Sequence, residues 1–182
     1  MTDRVLKPIV ICLMGPSGSG KSLAASMIAA YFDYYIIQSY TDRPKRQPDE
    51  LGHIFLTAEE YDNLIEHNIP IARTEFGNYR YCCLQNDIRD KTVYVIDPKA
   101  FDHMKSMFGN DYHFISVYIH ARPAQILQRI PLNRSKRDDG HFEFSPNYYD
   151  YIINNVYNRD ELFTQIQWMI RDIEEIYNVS SS

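Results

Sequence analysis

Eight residues near the start of the chain, Gly15-Pro16-Ser17-Gly18-Ser19-Gly20-Lys21-Ser22, carry its strongest chemical signal. They fit G-x-x-x-x-G-K-[ST] without mismatch, the spacing of a loop that cradles phosphate. Glycines let successive backbone N–H groups converge on phosphate oxygens without Cβ clashes. A helix starting directly after the loop adds its positive end. Lys21 is then placed to reach the β- and γ-phosphates of a nucleotide, and the Ser22 hydroxyl to ligate Mg²⁺. A chance match in a chain of this composition arises only on the order of 1% of the time.

A second constellation lies in Ser39-Tyr40-Thr41-Asp42-Arg43-Pro44-Lys45-Arg46-Gln47-Pro48. It gathers Arg43, Lys45 and Arg46 on a short stretch stiffened by two prolines, in a chain whose net charge is −5. The bland alternative is a solvated surface turn. The chemical one is a loop that holds an anion, because an arginine fork makes paired, charge-assisted bonds to phosphate oxygens.

These residues need a frame. At 182 residues, 45% hydrophobic and 24% charged, the chain suits one globular domain with small inserted regions. The acidic balance argues against general nucleic-acid binding, which leaves a basic footprint. Cys12, Cys82 and Cys83 have no zinc-type or redox spacing, which favours a reducing, cytoplasmic setting. The apolar run Pro8–Met14 has only seven residues, too short for a signal sequence or a membrane span, so a soluble protein is expected. His103, His113, His120 and His141 show no ligand-like spacing.

Apolar runs at 8–14, 35–39, 92–97, 113–120 and 149–154 predict strands. Helices are predicted from Ser22, over 57–67 behind a Thr57–Glu60 capping box, after Pro98, over 122–134 and over 158–178. In the first, Leu23, Met27, Ile28 and Tyr31 form the apolar face; in the last, Leu162, Ile166, Met169, Ile173 and Ile176 do, with Trp168 expected in the core. Residues 40–53 read as a loop, 69–74 and 79–84 as two short strands around Gly77-Asn78, 86–90 as a helical turn and 135–146 as irregular. Alternating strands and helices imply an α/β, P-loop NTPase-type three-layer fold, a parallel sheet with helices on both faces. Ligands in such folds bind at the carboxyl ends of the strands.

A phosphate cradle alone does not name a reaction. A guanine-nucleotide switch needs an NKxD-like tetrapeptide, which is absent, and a motor is normally longer. A kinase of phosphorylated small molecules needs a second anion site and mobile arginines.

With GPSGSGKS, Ser39…Thr41-x-Arg43-Pro-x-Arg46, Gly52-x-x-Phe55, Gly77-Asn78-Tyr79, Val95-Ile96-Asp97 and Tyr149-Asp150-Tyr151-Ile152-Ile153-x-Asn155 in order, the chain resembles the guanylate kinase family over roughly residues 8 to 175. That family transfers the γ-phosphoryl group of ATP to GMP or dGMP with Mg²⁺. The resemblance implies a core at about 5–38, 92–130 and 147–178, a nucleoside-monophosphate-binding region at about 39–90 and a lid at about 131–146. It places Gly15 to Ser22 and Asn155 on ATP; Ser39, Arg43, Arg46, Tyr81 and Asp97 on the acceptor; Ser22 and Asp97 near the metal; and Arg129, Arg134 and Arg137 as lid arginines that, with Lys21 and Arg43, neutralise the moving group. It implies a monomer or homodimer with no nucleic-acid or membrane partner.

The chain also departs from the family. The guanine-reading glutamate position holds Ile71, and the nearest acid, Glu75, is expected to bind the acceptor in its stead through a shift of register. A phosphate-binding tyrosine becomes Arg80, a base-contacting hydroxyl residue becomes Cys82, the first acid of a D-I-D element becomes Val95, and His53 takes another tyrosine's place. Two alternatives therefore stand beside GMP or dGMP phosphorylation: the same chemistry on another nucleotide or a sugar phosphate such as ribose 1,5-bisphosphate, and a non-catalytic interaction module.

Overall fold

The protein was described from a computed structural model, which describes residues 7–129 and 145–178. Its centre is β1 (Ile9–Met14), buried at every position between two parallel neighbours, β7 (Thr92–Val95) and β8 (His113–His120). Burial on both faces explains the unbroken apolar run. β2 (Tyr35–Ile36) flanks β7, and β9 (Tyr151–Asn154) flanks β8, giving a five-stranded, all-parallel sheet in the order β2-β7-β1-β8-β9.

One face is covered by α1 (Lys21–Phe32) and α5 (Arg159–Asn178), the other by α3 (Pro98–Phe108). α1 turns Ala24, Ala25, Met27 and Ile28 inward. The expected stripe is off by part of a turn, because Leu23 and Tyr31 are exposed. The two alanines bring the helix backbone close to the sheet, and Tyr31 instead meets Phe163 edge-on at 4.9 Å. α5 buries Leu162, Ile166, Met169, Ile170 and Ile173, whereas Ile176 and Trp168 are exposed. Trp168 is 74% exposed, so it is a surface residue and not the core residue its size suggested.

The stretch expected as one strand over 35–39 is divided between two sheets. Ile37 still donates its N–H to Val93 O, and the chain then leaves the parallel sheet. β3 (Ser39–Thr41) and β4 (His53–Phe55) pair within what reads as a loop, and they join β6 (Tyr79–Leu84) and β5 (Pro70–Phe76) in a four-stranded sheet ordered β4-β3-β6-β5. α2 (Ala58–His67) begins at the predicted capping box: Thr57 Oγ1 accepts from Glu60 N at 3.2 Å, and Glu60 Oε2 accepts from Thr57 N at 2.7 Å.

Strand period decides what this second sheet presents. Cross-strand partners share a face, so the pairs Ser39↔His53, Thr41↔Tyr81, Thr74↔Tyr81 and Ala72↔Cys83 put these residues on one side. Arg73↔Cys82 and Glu75↔Arg80 lie on the other. That second face packs Cys82 and Leu84 against Tyr61 of α2. The helical segment after β8, expected through 134, is α4 (Pro123–Arg129) within the described residues, and short 3₁₀ turns occupy Gln85–Asp87 and Pro146–Tyr148.

Candidate active site

The glycine loop bridges β1 and α1, at the carboxyl end of the central strand. Gly15, Gly18 and Gly20 all have positive φ (136°, 78° and 104°). Gly15 also has no room for a side chain: a Cβ would lie 2.6 Å from Ile119 O. Lys21 folds back so that Nζ donates to Gly15 O at 2.6 Å and Pro16 O at 2.9 Å.

Two cavities open from this loop. The first, over α1, is lined by Gly18, Gly20, Ser22, Arg129 and Asn155, with Tyr157, Asn158 and Arg159 farther out. The second lies beneath the inner face of the four-stranded sheet, lined by Ser39, Arg46, Thr74, Tyr81, Tyr94 and Asp97. Ser17, Lys21, His53 and Val95 line both, so the cavities meet where the P-loop lysine sits. Gly15, Pro16 and Ser19 form the turn beneath without lining either cavity.

Asn155 shows what holds the loop. Its backbone N–H donates to His120 O at 2.7 Å, at the end of β8, and its buried side-chain amide donates to Ser19 O at 2.7 Å. Expected near the donor's base, Asn155 does line the first cavity, but its amide is committed to the loop backbone. Arg129 Nη1 donates to Gly18 O at 3.1 Å, bringing α4 over the same cavity. Arg134 and Arg137 lie outside the described residues.

The two arginines of the proline-stiffened loop have different fates. Arg43 is 5% exposed. Its Nε donates to Tyr81 OH (3.1 Å), Nη1 to Pro44 O (2.8 Å) and Glu50 Oε2 (3.2 Å), and Nη2 to Glu50 Oε1 (2.8 Å). Four of its five N–H donors are thus occupied, and it lines neither cavity. Arg43, expected to grip the acceptor's phosphate, thus donates to the Tyr81 hydroxyl, and it is Tyr81 that lines the acceptor cavity. Arg46 does line that cavity, and its side chain is 45% exposed. Glu50 organises both, accepting also from Arg46 N at 2.6 Å. The paired bonds from Arg43 hold the Glu50 carboxyl down at about 2. Burial opposes the charge on Arg43, but Glu50 and Tyr81 outweigh it and raise its pKa.

Base recognition departs furthest from expectation. Glu75 points to the α2 face and is absent from the acceptor cavity, while Ile71 is fully buried in the core beneath α3. A register irregularity between Pro70 and Ala72 contributes to this placement, and Ala72, not Ile71, faces the cavity opposite Cys83. Arg80 likewise turns to α2, where Nε donates to Asp42 Oδ2 at 2.6 Å and Nη1 pairs with Asp62, over the Tyr61 ring. Ser39 Oγ and Tyr94 OH share a buried hydrogen bond of 3.1 Å. Asp97 lines the cavity while Oδ1 caps α3 by accepting from Ala100 N at 3.0 Å.

Magnesium fits the donor side. Ser22 lines the donor cavity, and Ser19 Oγ, buried within the same glycine loop, makes no hydrogen bond. Among the described residues no cluster of three or more His, Cys, Asp or Glu forms a metal cage. Mg²⁺ in phosphoryl-transfer sites is held mainly by substrate phosphates, water and one or two side chains, which this donor set can supply. Asp97 and Ser22 line different cavities.

Sequence reasoning missed Tyr94, Thr74, Tyr157 and Arg159. None belongs to a motif; only strand alternation after a correct register would have found the first two.

A parallel sheet with a glycine cradle at its central strand, opening onto two adjoining cavities, defines a P-loop phosphotransferase of the three-layer α/β class. The guanylate kinase family model matches residues 6–172, and the chain belongs to that family of ATP-dependent phosphotransferases. Among solved structures, a guanylate kinase from Anaplasma phagocytophilum is similar over 91% of this chain and 86% of its own, with a TM-score of 0.63 and 18% identity. The APS kinase of Mycobacterium tuberculosis, solved with AMPPNP and APS, covers 93% and 99% at a TM-score of 0.54 and 11% identity. A gluconokinase from Sinorhizobium meliloti covers 92% and 97% at 0.51 and 15%. These likenesses establish the fold. A search of curated sequences found no match. Among the described residues no helix is long and apolar enough to cross a membrane.

Proposed function

We propose that this protein transfers the γ-phosphoryl group of ATP to the phosphate of GMP or dGMP, giving ADP and GDP or dGDP. The observation that carries the proposal is the junction of the two cavities at Ser17, Lys21, His53 and Val95. A donor bound over α1 and an acceptor beneath the second sheet would face each other there, as in-line transfer requires. The region 39–90 would hold the acceptor, with its phosphate met by Arg46, Lys21 and the Tyr81 hydroxyl. Lys21 and Arg129 would spread the charge of the moving group, and the loop N–H groups would orient the donor. Ser22 would hold Mg²⁺, which would supply neutralisation of phosphate charge. No covalent intermediate and no titrating base are needed. Incubation with ATP–Mg²⁺ and GMP or dGMP, followed by nucleotide separation, should show ADP and the diphosphate in equal amounts. Turnover of neither overturns the acceptor assignment.

One observation favours a second acceptor class. Neither Glu75 nor Ile71 offers a carboxylate to the cavity, where the acid is Asp97 alone among the described residues. Guanine buries N1–H and amino donors that need acceptors, and a missing partner weighs heavily on selectivity. Another nucleotide or a sugar phosphate belongs in the same panel.

A further inference from the structure

The positions that the resemblance assigns to the acceptor's base turn away from the acceptor cavity. Ile71 is buried in the core, Glu75 and Cys82 face α2, and none of the three lines the cavity. What lies there instead is a set of hydroxyls brought together from three strands. Thr74 comes from the inner face of β5, and its hydroxyl makes no hydrogen bond among the described residues. Ser39 comes from β3 and Tyr94 from β7 of the parallel sheet, joined by the buried bond of 3.1 Å between Oγ and OH. That pair holds two hydroxyl protons and spends one between its own oxygens, so one proton and the remaining lone pairs are left for a ligand. Beside them the wall is apolar, made by Ala72, Phe76, Ile96 and Ala100.

We propose that Tyr94 and Thr74 are specificity-determining residues for the acceptor's base, and that reading it with hydroxyls in place of a carboxylate admits 6-oxopurine nucleotides with or without the 2-amino group. The inference rests on the two-cavity reading above and on a purine nucleotide as acceptor. A carboxylate only accepts, so it rewards guanine's N1–H and amino donors together and keeps an unpaired oxygen when the amino group is missing. A hydroxyl both donates and accepts. Its oxygen can take N1–H, its proton can serve O6, and loss of the 2-amino group strands no charged acceptor. Asp97, the one acid lining this cavity among the described residues, has Oδ1 committed to Ala100 N at the start of α3. Tyr94 also fixes the direction of the Ser39 hydroxyl, because the two share their bond.

Calorimetric titrations of GMP, IMP, ribose 5-phosphate and ATP should be run on the wild type and on Tyr94→Phe, Thr74→Val and Asp97→Asn. GMP and IMP should bind the wild type within about tenfold of each other, the span of one neutral hydrogen bond. In Tyr94→Phe and in Thr74→Val both nucleotides should weaken about three- to tenfold. Ribose 5-phosphate, which has the sugar and phosphate without a base, and ATP should bind these two variants as they bind the wild type. Equal weakening of all four ligands would mark a merely structural role and overturn the proposal. So would GMP bound about 100-fold or more tighter than IMP, the discrimination of a site built around the amino group. Loss of that preference in Asp97→Asn would give the base to Asp97 and leave the nucleotide reading standing. Ribose 5-phosphate bound without either nucleotide overturns the nucleotide reading and this proposal together.

Discussion

Replacing Glu50 by alanine would test whether Arg43 is scaffold rather than clamp. Glu50 receives both terminal nitrogens of Arg43 and the backbone N–H of Arg46, so its loss leaves a guanidinium with a side chain only 6% exposed facing a neutral void. Removing one partner of a buried pair costs about 3–5 kcal/mol. Glu50 retains 16% side-chain exposure, which lets water in and points to the lower end, about 3 kcal/mol. For a chain of this size that lowers Tm by about 6–12 °C. The loop would also lose the bond that places Arg46, so acceptor KM should rise at least about tenfold, the equivalent of one charge-assisted hydrogen bond, with ATP KM unchanged. The double variant Arg43→Met/Glu50→Leu removes both charges and should recover most of the lost Tm, because a well-packed apolar pair replaces a buried ion pair at little cost. Acid titration adds a sign. The Glu50 carboxyl is lowered from 4.5 to about 2, so its contribution is complete above about pH 4.5 and disappears as pH falls towards 2. The stability gap between wild type and Glu50→Ala should close over that window. A Tm loss below about 2 °C with unchanged acceptor KM would refute the reasoning.

Three further outcomes follow from the same geometry. Lys21→Ala should cut turnover by about 10²–10³-fold, the usual cost of removing a donor aimed at developing charge, and rapid-quench kinetics would show whether the chemical step is the one slowed. Asn155→Ala leaves the Ser19 carbonyl unpaired in a buried setting, costing about 1–3 kcal/mol, and should raise ATP KM more than acceptor KM in steady-state assays. Trp168→Gln should change stability by less than about 0.5 kcal/mol in urea denaturation, and the native indole should be freely quenched by acrylamide.

The legible parts of this molecule were those governed by short-range rules. The buried strands announced themselves because burial on two faces requires an unbroken apolar run, as in Ile9–Met14 and His113–His120. The cradle was visible because phosphate demands glycine at fixed spacing. The Thr57–Glu60 capping box is local by construction. Long-range decisions were not visible. Whether Arg43 or Arg46 met the cavity depended on where Glu50 folded back, seven residues along. The side of the sheet that Glu75 faced depended on the pairing of β5 with β6 and the irregularity near Pro70. Leu23 and Tyr31 kept helical spacing yet fell outside the core, because alanines let α1 lie close, whereas Trp168 stands off the Leu162, Ile166, Met169 and Ile173 stripe that fills the inner face of α5.

The central claim is that the two cavities hold the two substrates of one phosphoryl transfer. It is tested most directly by following γ-labelled ATP with GMP, dGMP and a panel of other phosphate acceptors in the presence of Mg²⁺. The account predicts label in the acceptor's new terminal phosphate, with GMP or dGMP as acceptor and loss of transfer in Lys21→Ala. Binding of ATP without transfer of label to any acceptor in the panel would contradict it.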